Sequence, residues 1–386
     1  MVATLSAQER QPDITGEGEL PPLPEGAFTL VVIPDTQHYT GRGCKGALAS
    51  DAPVANAHLA AQVEWILTNQ HKEKIVFVTH VGDIVEENRR EEWAIAKQHL
   101  DRLRGVVPFS LTVGNHDMEP DGDARLFQEH FPAASFADQL WYLGTYTHDR
   151  PDQHVSADNV NSAQRFSAAG IDFLHLSLEC NAPDDVLAWA DRMIESHPGH
   201  RLIVTTHMDL GVIEKPKTAE GYIHDPKGRM RWVKIHGKRG NSGEAMWEKF
   251  FRRQETLDLI LCGDQSRVTA LRLDTKADDG HVVTSLLSDY MSEPVLRLMR
   301  FRPDQRMIEV LTWQVSGGFL VESTRYVEGR EGHRFSVDWG VGEFAVPFQA
   351  VLEFWKKDPA VRRIPEIPNS RTDSPPGSSV ERDPTG

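Results

Sequence analysis

The feature that most constrains this chain is a series of short, continuous apolar runs, each closing on a polar cluster. Phe28-Thr29-Leu30-Val31-Val32-Ile33 is followed at once by Asp35-Thr36-Gln37, and Ile75-Val76-Phe77-Val78-Thr79 leads to Gly82-Asp83. The run from Val106 to Val113 enters Gly114-Asn115-His116-Asp117. Arg201 to Thr205 delivers Thr206-His207, and Leu257 to Leu261 delivers Gly263-Asp264-Gln265-Ser266. Runs that are apolar and β-branched, with no polar alternation, suit strands covered on both faces. Between them, Leu59, Val63, Ile66 and Leu67 within 54–70, and Trp93, Ala96, Leu100 and Leu103 within 88–104, recur at helical spacing. Such alternation predicts a layered α/β fold, in which sites form where strands end. All five clusters are therefore expected in one crevice.

Length and charge set the outer bounds. A chain of 386 residues buries a substantial core as one large domain or two small ones. A formal net charge of -15 argues against general affinity for nucleic acid or an anionic membrane, both of which need a basic surface. No run of about 18 apolar residues offers a membrane span, and Met1 to Gln11 carries no apolar segment of a signal peptide. The cytoplasm is the default expectation. Cys44, Cys180 and Cys262 lack metal-ligand spacing and read as reduced thiols. Residues 1–26 and 366–386 are polar and rich in Pro and Gly, and are expected to be disordered tails. The catalytic body would be 27–330, with 331–365 an extension packed on it and covering a sheet edge.

The chemistry of the converging residues is coherent. Asp35 and Asp83 supply hard anionic oxygens, Gln37 and Asn115 neutral carbonyl oxygens, and His207 an imidazole. That mixture suits Mn²⁺, Mg²⁺, Fe or Zn²⁺ rather than a thiolate-bound metal. A central carboxylate could bridge two ions about 3.5–4 Å apart, the arrangement used for in-line phosphoryl displacement. Taken singly, each cluster reads as a turn or a packed histidine; the ordered set carries the inference.

The order of these motifs, Gly-Asn-His-Asp above all, resembles the calcineurin-like metallophosphoesterase family over roughly residues 27–300. The resemblance implies two facing mixed β-sheets flanked by helices, and a metal-dependent phosphoesterase acting on a diester or monoester. It implies Asp35, Gln37 and Asp83 as ligands of a first metal, and Asp83, Asn115 and His207 as ligands of a second, with Asp83 bridging. His116 would assist the leaving group and Asp117 would orient its ring. The expected partner is a phosphorylated small molecule.

One cluster departs from the family. Where Gly-His-x-His is expected, the chain reads Gly263-Asp264-Gln265-Ser266. Asp264 can supply an oxygen to the second metal, completing Asp83, Asn115, His207 and Asp264; Ser266 is a poor ligand and leaves the first metal short. The expectation is one robust second ion and one weak first ion, manganese favoured, with His38, His80 or His281 as possible substitutes. The alternative is a degenerate relative that binds a phosphorylated ligand or a protein without turnover. Two further stretches invite a role. Residues 227–239 are densely basic and could clamp a phosphate through their arginines. Trp141, Tyr142, Tyr146, His148 and His154 could line a pocket, although packing is the commoner use of such aromatics.

Overall fold

The computed structural model describes residues 13–45, 50–148 and 154–339. They form two large mixed sheets. The first contains β1 (Ile14–Glu17), β2 (Phe28–Ile33), β3 (Ile75–His80), β4 (Phe109–Leu111), β14 (Val295–Arg302), β15 (Met307–Gln314), β16 (Phe319–Thr324) and β17 (Phe335–Asp338). Its order is β1-β16-β15-β14-β2-β3-β4, with β17 also on β15. The second contains β5 (Tyr142–Thr145), β6 (Ser162–Ala168), β7 (Ile171–Leu178), β8 (Arg201–Thr206), β11 (Leu257–Cys262), β12 (Ala270–Lys276) and β13 (Val282–Ser288), in the order β12-β13-β11-β8-β7-β6-β5. A separate ribbon pairs β9 (Leu210–Val212) with β10 (Lys227–Arg229).

The continuous apolar runs are explained by coverage on both faces. In β2, Phe28, Leu30 and Val32 face a core shared with Phe173, Ile203, Leu259 and Leu261 of the other sheet. Val31 and Ile33 point the opposite way, into a core with Leu59, Val63 and Ile66 of α1 (Ala57–Asn69) and Trp93 and Ala96 of α2 (Arg90–Leu100). The second sheet repeats the pattern. Leu202 and Val204 pack with Val186, Leu187 and Ala190 of α4 (Asp184–Glu195) and with Met246 and Trp247 of α6 (Gly243–Lys249). The layers are helix, sheet, sheet, helix, as expected. Short α3 (Arg125–His130) and α5 (Gly221–His224) complete the α-helices of the described residues.

Parallel pairing sets the position of the site. Strands β2, β3 and β4 run parallel in one sheet, and β7, β8, β11 and β13 run parallel in the other. Their carboxyl ends carry the polar clusters. The expected strand 106–113 shortens to Phe109–Leu111, because Pro108 has no N–H to donate and contributes only its carbonyl, to Val78.

The N-terminal stretch needs correction. Within the expected tail 1–26, Ile14–Glu17 forms β1, paired antiparallel to β16, and Ile14 is buried with Tyr290, Val295 and Val321; residues 1–12 lie outside the described residues. At the other end, β17 pairs with β15 between Met307 and Val310, and buried Trp339 stacks on Phe173 and donates Nε1–H to Asp258 at 3.0 Å. The rest of the expected extension, 340–365, and the tail 366–386 lie outside the described residues. The three cysteines are buried and unpaired.

Candidate metal centre

Two glycines allow the clusters to close on one another. Gly82 has φ 106, and a Cβ there would stand 2.6 Å from His207 Nδ1. A Cβ on Gly263 would collide with Asp35 Oδ1. Any side chain at either position would fill the space that brings ligands from the two sheets together. Asp83 and Asp264 themselves sit in left-handed backbone, with φ 50 and 75, a strain of order 1 kcal/mol each that the surrounding turns enforce.

Asp35, Asp83 and His207 are all buried, and one oxygen or nitrogen of each lies within 4.8 Å of the others. The Val81 carbonyl lies 2.9 Å from His207 Nδ1 and accepts its proton. Nε2 therefore faces the carboxylates, 3.1 Å from Asp83 Oδ1 and 3.7 Å from Asp264 Oδ1. Asp83 is the hub: its Oδ1 accepts the His116 backbone N–H at 2.8 Å, and its Oδ2 is 2.9 Å from the Gln37 terminal amide. The Gln37 amide can present its oxygen to the same space by a half turn. Asp35 Oδ2 accepts the Asp264 N–H at 3.2 Å, while Asp35 Oδ1 is buried with no hydrogen-bond partner.

Carboxylates outnumber the cations among these groups. Burial pushes the Asp35 carboxyl well above its ordinary value, and neighbouring Asp289 pushes it further. His207 is driven up to about 10; burial opposes this, and the Asp83 carboxylate outweighs it. Burial likewise works against the charged form of Asp83, yet the His207 charge holds it below the usual range. The orphaned Asp35 oxygen, the glycine cradle and the hard O/N donor set together fit a divalent cation.

Asp289 belongs to this site and was not singled out from the sequence. It follows β13, which is parallel to β11, and is 1% exposed. Its Oδ1 accepts the Met291 N–H at 2.8 Å, and its Oδ2 has no partner. Burial pushes its carboxyl up to about 6, with Asp264 and Asp83 adding to the effect. A left-handed run at Tyr290, Met291 and Ser292, φ 56, 57 and 57, fixes it there, and Ser292 Oγ accepts the Gln37 backbone N–H at 3.1 Å. The same signal that marks the other clusters was present: an apolar run, Val282 to Leu287, ending in an aspartate.

The second set behaves differently. Lys234 Nζ lies 3.0 Å from Asn115 Oδ1 and forms an ion pair with Asp264 Oδ1. An ammonium thus sits on two of the four donors expected to hold the firmer ion. Gln265 Nε2 donates to Asp264 Oδ2 at 2.8 Å. Ser266 contributes its carbonyl to Thr269 Oγ1–H at 3.1 Å, a turn contact.

Several expected roles change. His116 is held by the Glu86 carbonyl, 2.7 Å from its Nδ1, and not by Asp117. Asp117 instead accepts backbone N–H groups from Gly114 at 2.8 Å and Val85 at 3.0 Å; it shapes the loop that carries Asn115 and His116. Burial pushes Asp117 up to about 7. His80 does not substitute for a missing ligand: both ring nitrogens are committed, to Thr36 Oγ1 at 3.0 Å and to the Gly82 N–H at 3.1 Å. His281 bonds the Leu257 carbonyl at 2.9 Å, at the opposite end of β11. His38 stacks on His58, with ring centroids 3.9 Å apart.

The basic stretch also divides. Arg229 is no phosphate clamp, because it is buried in an ion pair with Asp209 at 2.7 Å and lies over Trp247. Arg231 faces Glu214. The aromatics of 141–165 pack: Trp141 and Tyr142 lie against Phe136, and Tyr146 O–H donates to Asp185 at 2.7 Å.

The chain is 24% identical over 328 residues to the uncharacterized protein YvnB of Bacillus subtilis, across 81% of this chain but 22% of that protein. It therefore spans about a fifth of that relative's length. Among solved structures, the NAD nucleotidase of Haemophilus influenzae is similar with a TM-score of 0.38 and 13% identity, over 86% of this chain and 56% of that one. GAP50, the anchor in the inner membrane complex of Plasmodium, gives 0.37 and 11%, over 78% and 91%. Both likenesses are too distant to carry an argument about this chain's activity. No helix among the described residues is long and apolar enough to cross a membrane. The family model of calcineurin-like phosphoesterases matches residues 28–267, more than half of the chain and the span that holds every strand-end cluster named from the sequence. The chain belongs to the calcineurin-like phosphoesterase family.

Proposed function

We propose that this protein is a metal-dependent hydrolase of phosphate esters, acting on a phosphorylated small molecule. The observation that supports it most directly is the convergence of Asp35, Asp83 and His207 within 4.8 Å, with an Asp35 oxygen left buried and unpartnered. Asp35, Gln37, Asp83, His207 and Asp289 would hold the ion, Mn²⁺ or another hard divalent cation. When bound, it supplies Lewis acidity towards a phosphoryl oxygen and lowers the pKa of water beside it.

The chain's own residues do the rest. His116 lies at the rim, its side chain 35% exposed and its Nε2 4.0 Å from Asp83 Oδ2. With the Glu86 carbonyl accepting from Nδ1, the ring is locked so that Nε2 can carry a proton towards the cleft. In hydrolysis the bond from water oxygen to phosphorus forms as that water gives up one proton to solvent, the bond from phosphorus to the leaving oxygen breaks, and Nε2 gives its proton to that leaving oxygen. Lys234 places a positive charge beside the phosphoryl group, where negative charge accumulates.

A second reading is favoured by Asp264 and Ser266 in place of two histidines: the site binds a phosphorylated ligand or a protein partner without turnover. Hydrolysis of a chromogenic phosphodiester and monoester across Mn²⁺, Mg²⁺, Zn²⁺ and Fe²⁺ separates the two. Turnover with at least one metal, lost in Asn115→Ala and His116→Ala, is the expected result. Activity surviving both substitutions contradicts the site, and no turnover with any metal leaves binding alone.

A further inference from the structure

We infer that Lys234 replaces one of the two metal ions, so that the centre holds a single divalent cation beside a built-in ammonium. The inference rests on the metal-centre reading above and deepens it. Asn115 Oδ1 and Asp264 Oδ1, two of the donors the sequence assigned to a second ion, both face Lys234 Nζ. An ion on the same two oxygens would meet the ammonium at close range, where like charges repel strongly and little water screens them.

Lys234 is built into this place. Its backbone N–H donates to Asn181 Oδ1 at 2.9 Å, and the Ile235 N–H reaches the same oxygen at 3.2 Å. Asn181 is in turn tied to the Asn241 carbonyl at 3.0 Å. Upstream, the β9–β10 ribbon is anchored by the buried Arg229–Asp209 pair, and the Met230 N–H bonds the Asp209 carbonyl at 2.9 Å. The segment is thereby held at both ends of the reach from β10 to the site.

Charge balance points the same way. A neutral imidazole at position 264 would leave the site's charge unchanged, whereas Asp264 adds a full negative charge. Lys234 matches it one for one. The ammonium has three donors; Asn115 and Asp264 take two. The side chain is 28% exposed, so the third can reach a phosphoryl oxygen in the cleft. Asp264 and Lys234 together then perform what a second ion would: they fix a positive charge next to the substrate phosphate.

The test is a metal count by plasma mass spectrometry on full-length protein loaded with excess Mn²⁺ and desalted. The wild type should retain about one ion per chain, and Lys234→Met and Lys234→Gln about two, because the freed oxygens of Asn115 and Asp264, with Asp83 as a bridging carboxylate, then offer a hard-oxygen set to a second ion. Two ions in the wild type overturn the inference while leaving the metal centre intact. Variants that stay at one ion overturn it as well. No ion in the wild type overturns the metal centre itself. The wild-type count decides the matter even if a variant fails to fold.

Discussion

The two halves of the centre solve the same electrostatic problem in different ways. On one side, Asp35 and Asp289 keep buried carboxylate oxygens with no partner, a burial cost that a proton or a cation from solution can relieve. On the other, Asn115 and Asp264 face an ammonium carried by the chain. Asp83 lies between them, and His207 Nε2 is close to both Asp83 and Asp264. On this account the two-ion framework keeps its geometry while exchanging one ion for a side chain. The Asp35 side is the one that Ser266 had seemed to weaken, and the buried Asp289 carboxylate adds negative charge beside it.

The largest effect should come from the shared residue. Asp83→Asn removes the charge common to both halves, and phosphoesterase activity is expected to fall by roughly 10³-fold or more, with Mn²⁺ retention lost in a desalting assay. Retained metal would show that the two halves are independent. Asp289→Asn addresses only the solvent-supplied half. Titration calorimetry should show Mn²⁺ affinity reduced about 10–100-fold, and an unchanged affinity would remove Asp289 from the ligand set. Asn115→Ala addresses only the lysine half. Turnover should fall as Lys234 loses an anchor, but Mn²⁺ affinity should stay within about 3-fold of the wild type; a larger loss would mean that Asn115 holds the ion after all.

The smallest effect is on stability, and its sign follows from the buried carboxyls. Burial pushes Asp289 up to about 6 and Asp117 up to about 7. In metal-free protein each favours the folded state in its protonated form. That contribution is complete below the unfolded value of 3.8 and is lost as the pH rises through about 6 and 7. The melting temperature of metal-free protein should therefore drop by roughly 5 °C between pH 4 and 7.5. Saturating Mn²⁺ should flatten the drop, and a metal-free protein that stabilises over that interval would contradict the assignment.

Much of this was legible in the sequence because strands buried on both faces leave a local signature. Phe28–Ile33 is bounded as its apolar run suggests, and Asp35, Asp83, Asn115 and His207 lie at the strand ends where the runs stop. What escaped depends on contacts between segments far apart in the chain. The polar stretch before Phe28 gave no hint that Ile14–Glu17 would find an edge partner in β16. Lys234 lay within a basic stretch whose arginines drew attention, and only the fold shows Arg229 turned onto Asp209 while Lys234 reaches Asp264. Asp117, next to His116 in sequence, looked like its partner; the tight turn instead points its carboxylate at backbone N–H groups. Asp289 carried the same strand-end signal as the others, but no recognisable motif surrounds it.

The central claim is a single cation among Asp35, Asp83, His207 and Asp289, with Lys234 at the neighbouring position. Anomalous diffraction at the manganese edge from crystals of the Mn²⁺-loaded protein tests it directly. One anomalous peak beside Asp35 Oδ1, with Lys234 still bonded to Asn115 and Asp264, is the predicted result. A peak between Asn115 and Asp264 with Lys234 swung away, or no peak at either place, would contradict it.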